Sequence, residues 1–272
     1  MSARTTPEID NAVYDRLADM WWADRGVLNI LRTVANPWRL PYFQRVLSRH
    51  RIEPLGSRAL DIGCGGGLLA EEFARMGFAV TGLDPSAESL SVARAHAQEQ
   101  GLTIDYRSGY GDALPFENES FEVVYCCDVL EHIQNWDAVI AEITRVLKPD
   151  GLFLYDTINR TLLSKVFLVK MAQEWRFTRF VPPNLHVWEM FIKPAELLAC
   201  FERHGLGNQD VTGLKIATNP LTLLLAFHGY KTGRISGAEF GRRAGLREGS
   251  NLALSYMGYA LKHREPRGHP AG

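Results

Sequence analysis

The chain has 272 residues, of which 46% are hydrophobic and 22% charged, and its formal net charge is −1. This composition predicts a globular protein with one large α/β domain or two small ones, and the charge gives no reason to expect nucleic acid as a partner. The four cysteines are too few and too irregularly spaced for a disulfide framework, no apolar run approaches the ~20 residues that span a bilayer, and the polar N-terminus shows no secretory signal. We therefore expect a cytoplasmic protein.

The N-terminal region divides into a predicted flexible tail, 1–10, and a predicted helical lid, 11–50. Pro37 and Pro41 are expected to break the lid into short helices, because proline lacks the backbone N–H that a helix interior needs. Trp21 and Trp22 permit two interpretations, helix packing or closure of a lid over a pocket.

From residue 58 onward, predicted strands alternate with predicted helices. The strands are apolar runs bounded by turn residues, at 58–62, 79–83, 103–106, 121–127, 152–158, 209–214 and 252–262. The helices cover 68–76, 86–100, 135–147 and 194–204, with Ser86 and Asn135 as N-caps of two of them. The alternation predicts an α/β fold with a mostly parallel seven-stranded sheet, helices on both faces and a ligand site at the carboxyl ends of the strands.

Two irregular segments interrupt the single predicted domain, 11–262, and a second flexible tail is expected at 263–272. The first interruption, 160–192, mixes apolar residues with lysine and arginine, and its amphipathic part, 161–183, predicts a lid or a contact with an anionic membrane surface. The second interruption, 217–250, predicts a hairpin or a helix pair.

A glycine turn at 63–67 follows the first strand and predicts a ligand-binding loop. Glycines let backbone N–H groups approach a ligand without a Cβ in the way. Asp61 lies inside the first strand and Asp84 ends the second, where a carboxylate is placed to accept the hydroxyls of a ribose. A nicotinamide or flavin site is the main rival, but its G-x-G-x-x-G spacing differs from Gly-Cys-Gly-Gly-Gly.

This segment resembles motif I of class I S-adenosylmethionine-dependent methyltransferases, D-x-G-x-G-x-G. The resemblance continues at 111–116 after the third strand and at 147–151 before the fifth. It implies a Rossmann-like fold with S-adenosylmethionine as cofactor, Asp84 on the ribose and Asp112 near the adenine amino group. Arg39 is expected either over the cofactor carboxylate or at the surface beside an acid. The implied cofactor-binding residues are Arg39, Asp61, Gly63, Cys64, Gly65, Asp84, Pro85, Asp112, Ala113 and Cys127.

The segment 127–132, Cys-Asp-Val-Leu-Glu-His, is similar to the E-x-x-E-H segment of the ubiquinone-biosynthesis O-methyltransferases, which methylate polyprenyl catechols. The similarity extends over about 11–215, and the segment after Leu214 lies outside it. It implies a small-molecule O-methyltransferase that acts on a phenolic or catechol hydroxyl of a prenylated quinone precursor. The alternative is a methyltransferase of another small natural product with oxygen, nitrogen or sulfur as acceptor. No oligomeric state is predicted.

In that family the acidic pair and the histidine are associated with a divalent metal. The similarity therefore implies Asp128, Glu131 and His132 as ligands of Mg²⁺ or another divalent ion, although Asp128 is shorter than the family's glutamate. Without a metal, His132 or His186 is the candidate general base, and Glu131 is the third catalytic candidate. Two plainer readings stay open, a common strand-to-helix turn at 131–132 and a surface loop histidine at 186.

Overall fold

The protein is described by a computed structural model that covers residues 9–264. The predicted tails, 1–10 and 263–272, lie almost wholly outside the described residues. One sheet dominates the fold, and its strands in chain order are β1 Arg58–Ile62, β2 Ala79–Asp84, β3 Asp105–Ser108, β4 Phe121–Cys127, β5 Leu147–Ile158, β6 Leu206–Ile216, β7 Leu246–Gly249 and β8 Ser255–Lys262.

The strand order is β3-β2-β1-β4-β5-β8-β6-β7, with eight strands where seven were predicted. The strands from β3 to β5 pair in parallel, whereas β8, β6 and β7 pair antiparallel. The additional strand is β7, a four-residue edge strand within the insertion 217–250. The order reverses at β1, so that the loops after β1 and β4 leave the same edge side by side, which is where ligands bind in such sheets.

Helices cover both faces of the sheet, as predicted. The longer ones are Asn36–Arg49, Leu68–Met76, Ala87–Glu99, Trp136–Val146, Pro194–Arg203, Pro220–Lys231 and Gly237–Ala244. Short helical turns lie at Val13–Arg16, Ala18–Met20, Val27–Ile30, Leu130–His132, Leu162–Ser164 and Trp188–Met190, and π-helical turns lie at Leu31–Ala35 and Lys165–Glu174. Among the described residues, no helix is both long and apolar enough to cross a bilayer.

The N-terminal prolines do not break the helices as predicted. Pro37 lies in the first turn of the helix Asn36–Arg49, where backbone N–H groups have no intrahelical partner to lose. Pro41 lies inside the same helix, which continues through it. A π-helical turn, Leu31–Ala35, precedes this helix directly, and the breaks between the short helices fall earlier in the chain.

The hydrophobic core has two layers, one on each face of the sheet. Val123 and Tyr125 of β4 belong to one layer, and Val124 and Cys126 belong to the other, because successive side chains of a strand point to opposite faces. All four side chains are fully buried. This strand therefore anchors both layers and holds the segment that follows it, 128–132, at a fixed position.

The insertion 217–250 packs against the N-terminal helices. The Tyr230 hydroxyl donates a hydrogen bond to the carbonyl of Gly26 at 2.9 Å. A Cβ on Gly237 would overlap the side chains of Asn29 and Thr33, so this glycine permits a close approach between the two segments. The insertion thus stabilises the position of the N-terminal helices.

Candidate active site

A cavity of about 410 Å³ opens at the carboxyl edge of β1, β2 and β4, where the strand order reverses. That volume lies within the range of small-molecule sites. The lining residues come from the N-terminal helices, the glycine turn, the ends of β2 and β4, and the loop after β3, and they include Asn11, Tyr14, Trp21, Asn36, Arg39, Asp61, Gly63, Cys64, Gly65, Asp84, Pro85, Tyr110, Gly111, Cys127, Asp128 and His132.

The glycine turn forms the floor of the cavity. Gly63, Gly65 and Gly67 have φ angles of 72°, 50° and 83°, a left-handed conformation that other residues adopt at a cost. The Gly63 amide donates to the carbonyl of Leu83 at 2.8 Å, which ties the turn to the end of β2. The turn therefore presents backbone rather than side chains to a ligand.

Two carboxylates flank this floor. Asp84 accepts hydrogen bonds from the backbone amides of Gly65 and Ser86 at 2.8 and 2.9 Å, and burial raises its pKa. Asp61 is 3% exposed, and its Oδ2 is buried without a hydrogen-bond partner. Burial, followed by the nearby charge of Asp84, raises the pKa of Asp61 well above its usual range. An unpartnered buried oxygen is costly unless a ligand meets it, so this wall fits a cation or a hydrogen-bond donor.

The two adjacent tryptophans cover the glycine turn. Trp21 lies over Gly65 and Gly66, where any added Cβ would overlap its indole, and its Nε1 donates to the Ser89 hydroxyl at 2.9 Å. Trp22 donates from Nε1 to the carbonyl of Gly66 at 2.9 Å. Trp21 therefore packs against the turn and lines the cavity, whereas Trp22 lies outside the lining residues and stacks on the ring of His96.

Arg39 is a buried cation at the cavity wall rather than a surface residue. Its guanidinium forms an ion pair with Asp128, and its Nε lies 3.0 Å from Oδ2 of Asp156. Burial lowers the pKa of Arg39, but the two carboxylates outweigh burial and raise it above the ordinary value. Burial raises the pKa of Asp156 to about 7, and Arg39 opposes that shift. Asp128 and Asp156 thus neutralise the positive charge of Arg39 within the cavity wall.

The loop after β4 places its two acidic residues, Asp128 and Glu131, in surroundings that differ from each other. Asp128 has a φ of 56° and donates its backbone amide to Oδ1 of Asp156 at 2.9 Å. Glu131 is 1% exposed and accepts a hydrogen bond from the Thr157 hydroxyl at 2.7 Å. Burial, with the charge of Asp128, raises the pKa of Glu131 to about 8. Glu131 thus lies behind the cavity lining, in the core.

The predicted metal ligands do not converge. Across residues 9–264, the one trio of histidine, cysteine or acidic side chains that brings its ligand atoms within 4.8 Å of one another is Asp137, Cys200 and His204, and it lies outside the cavity lining. Asp128 is engaged by Arg39 and Glu131 by Thr157. This set of donor atoms does not fit a divalent metal ion.

A buried histidine, His132, and a partly buried one, His186, meet beside the cavity. The rings of His132 and His186 lie 5.5 Å apart, and Nδ1 of each is buried without a partner. The Tyr14 hydroxyl lies 3.3 Å from Nε2 of His132. Burial, with a contribution from His186, lowers the pKa of His132 to about 3, and burial lowers the pKa of His186 to about 4. Both imidazoles are therefore neutral at physiological pH.

The cavity brings together most, but not all, of the residues singled out by the sequence. Asp112 and Ala113 are exposed and lie outside the lining, where Tyr110 and Gly111 of the same loop take their place. Sequence reasoning missed Tyr14, Asn11, Asn36 and Asp156 as members of the site. The pairing of Arg39 with Asp156 joins residues far apart in the chain, and only the aromatic character of Tyr14 was visible beforehand.

Replacement of Glu131 by glutamine is expected to change how stability depends on pH. Since the folded protein holds a proton on Glu131 up to about pH 8, this contribution to stability is complete below the unfolded pKa of 4.5 and is lost as pH rises through 8. The neutral glutamine keeps the acceptor for Thr157, so the variant is expected to lie within about 1 kcal/mol of the wild type at pH 5 and to exceed it by on the order of 4 kcal/mol at pH 8.5.

Urea unfolding at pH 5, 6.5 and 8.5 measures this difference. The exposed residue Glu117 supplies the matched control, because a Glu117→Gln variant should keep a constant offset from the wild type across the three pH values. An equally constant offset for the Glu131 variant would show that Glu131 is ionised in the folded protein.

Residues 60–155 match a family model described as a methyltransferase domain. The chain is 38% identical over 231 residues to the ubiquinone biosynthesis O-methyltransferase of Methylobacterium nodulans, an alignment that covers 81% of this chain and 91% of that protein. The fold is similar to a magnesium protoporphyrin IX methyltransferase from Synechocystis PCC 6803 with bound SAH, with a TM-score of 0.60, 18% identity and coverage of 93% and 95%. A putative sarcosine dimethylglycine methyltransferase from Galdieria sulphuraria gives a TM-score of 0.62, 15% identity and coverage of 92% and 98%.

The doubly wound sheet, with a glycine turn and two carboxylates at its switch point, defines a class I S-adenosylmethionine-dependent methyltransferase. The unpartnered Asp61 oxygen and the glycine turn at the floor of the cavity fit that cofactor. Within this class, the chain belongs to the family of ubiquinone biosynthesis O-methyltransferases.

Proposed function

We propose that this enzyme transfers a methyl group to a phenolic or catechol hydroxyl of a prenylated quinone precursor. The observation that carries the proposal is His132, a neutral imidazole with an unpartnered Nδ1 at the wall of the cofactor cavity. A hydroxyl acceptor must lose a proton during methyl transfer, and a neutral histidine is suited to take it. The family relationship supplies the acceptor class.

The cofactor supplies an electrophilic methyl group on a sulfonium. The turn at 63–65 would hold its methionine portion, Asp61 its ammonium group and Asp84 its ribose hydroxyls. Pro85 and Cys127 line the same cavity, and Asp112 and Ala113 are candidates on the resemblance alone.

The charge of the cavity wall suits a cationic ligand. Arg39 is the buried cation of this wall, and it is paired with two carboxylates, Asp128 and Asp156, instead of facing the cavity as a free charge. Asp61 and Asp84 add acidic groups to the cavity lining. Because the sulfonium charge disappears on transfer, the residues need to align the two reactants more than to stabilise new charge.

His132 takes the acceptor proton at Nδ1 when the ring is in the tautomer that carries its own proton on Nε2. In that tautomer the Nε2–H group donates a hydrogen bond to the Tyr14 oxygen, which holds the ring in place. A phenolate forming beside the ring favours the charged imidazolium and so raises the pKa of His132 during the transfer. His186 is the second candidate base, behind His132, and Glu131 supports the loop from the core.

Turnover of S-adenosylmethionine with a short-tailed catechol tests this function, with a matched amine and a matched thiol as competing acceptors. We expect methylation of the catechol, and of neither competitor, at a rate that a chelator leaves unchanged, because the donor set does not fit a metal. Methylation of the amine or thiol without the catechol would reject the proposal in favour of another small-molecule acceptor. Loss of catechol turnover on chelation would restore a metal role for Asp128, Glu131 and His132.

We also propose that this cytoplasmic enzyme contacts an anionic membrane surface through the segment 161–183. The support is a group of exposed apolar side chains, among them Leu162, Trp175 and Phe177 with exposed fractions of 77%, 51% and 89%. Arginines at 176 and 179 stand beside them. A lipid-tailed acceptor would be met at such a surface. Flotation with anionic vesicles tests the contact, and protein that stays at the bottom of the gradient rejects it.

A further inference from the structure

The exposed apolar side chains of this protein are concentrated in two segments. Of the 14 large hydrophobic residues that are exposed among residues 9–264, seven lie in 162–180 and three in 221–225. Scattered exposed apolar residues need no explanation, but a contiguous group marks an interaction surface. The second segment belongs to the insertion 217–250, for which the proposed function gives no role.

The helix Pro220–Lys231 turns a leucine face to solvent. Leu221, Leu224 and Leu225 are 66%, 63% and 61% exposed, and their spacing of three and four residues puts them on one face. The buried residues of the same helix, Ala226, Gly229 and Tyr230, lie against the protein body. The helix carries no acidic residue. Its outer face is therefore apolar and unpartnered within the described chain.

This helix is joined to the segment 161–183. The rings of Phe180 and Phe227 pack edge to face with centroids 5.2 Å apart. The Lys231 ammonium donates to the carbonyl of Phe177 at 2.6 Å. The two exposed groups thus belong to adjoining elements.

The charge around the two exposed apolar groups indicates which kind of partner binds them. Segments 161–183 and 217–236 together contain six lysine or arginine residues and one acid, Glu174, which is paired with Lys170, in a chain of net charge −1. A second copy of this chain would bring the same basic surface against itself and be repelled. An anionic lipid surface offers the opposite charge and an apolar interior for the leucines.

We propose that the helix Pro220–Lys231 is a second membrane-docking element, which inserts Leu221, Leu224 and Leu225 into the interface of an anionic bilayer beside the segment 161–183. The inference rests on the proposed function, because a lipid-tailed acceptor gives the docking its purpose. Tyr230 of the same helix holds Gly26, so the docked helix also fixes the N-terminal cover of the cavity relative to the membrane.

Flotation of the full chain with neutral and with anionic phosphatidylglycerol vesicles tests the proposal. The test variant carries Leu221→Ser, Leu224→Ser and Leu225→Ser, and the control carries Leu55→Ser, an 88% exposed leucine outside both segments. We expect the wild type and the control to float with anionic vesicles only, and the triple variant to lose about tenfold or more of the floated fraction.

A triple variant that floats like the wild type would overturn the proposal, as would a wild type that does not float. Sedimentation of the proteins without vesicles tests the alternative, in which the leucine face binds a second copy of the chain. A wild-type dimer that the triple substitution converts to monomer would show that this alternative is correct. Turnover of a water-soluble catechol separates this inference from the proposed function. Normal turnover by a triple variant that fails to float supports both, whereas flotation of a protein without catechol turnover would reject the proposed function alone.

Discussion

Replacement of Arg39 by methionine is expected to destabilise the folded protein by about 3–5 kcal/mol, the cost of leaving buried charges without their partner. Arg39 lies between Asp128 and Asp156, and its side chain is 4% exposed. Methionine fills a similar volume but leaves the two carboxylates to repel each other. Asp156 must then take up a proton or reach water, and the loop after β4 loses its anchor.

Chemical denaturation at pH 7.5 measures this loss, and Arg45→Met is the matched control. Arg45 lies in the same helix and pairs with Glu248, but its side chain is 56% exposed, so we expect a change of about 1 kcal/mol or less. Adding Asp156→Asn to the Arg39 variant should restore part of the stability, because it removes one of the two unpaired charges. An Arg39 variant as stable as the Arg45 control would mean that the cluster contributes nothing net.

Replacement of His132 by glutamine is expected to lower kcat on a catechol by about 10²–10⁴, the usual contribution of a positioned general base. The affinity for S-adenosylmethionine should stay within about twofold, because the glycine turn and its flanking carboxylates carry cofactor binding. Stopped-flow turnover and equilibrium binding separate the two quantities. Full activity in this variant would show that His132 is not the general base and would leave His186 as the candidate.

Replacement of Tyr14 by phenylalanine should act through His132 and cost about tenfold in kcat, since only the orientation of the imidazole is lost. Tyr230→Phe provides the comparison, because it too removes a tyrosine hydroxyl that holds the N-terminal region, but at Gly26 and outside the cavity lining. If both variants lost activity equally, Tyr14 would be a packing residue only.

The sequence predicted the parts of the fold whose signals are local. β1, β4 and the helix Leu68–Met76 begin and end where the apolar patterns and turns placed them, and Ser86 and Asn135 cap their helices as predicted. The strand β7 escaped prediction because a short, partly exposed edge strand carries little hydrophobic signal.

The candidate site was predictable where its functional residues lie close together in the sequence. The glycine turn, Asp61 and Asp84 follow one another along two strands, and they meet in the cavity. The pairing of Arg39 with Asp156 and of Tyr14 with His132 depends on how distant segments pack, which no local pattern records.

The floor and the roof of the cavity are formed by different segments of the chain. Its floor, from the glycine turn to His132, lies within 60–155, the stretch that matches the general methyltransferase domain. Its roof, with Trp21 and Tyr14, lies upstream of that stretch, and His186 lies downstream. The cavity thus combines the stretch that matches the general methyltransferase domain with segments on either side of it. Changes in those flanking segments can therefore reshape the cavity without altering the glycine turn or Asp84.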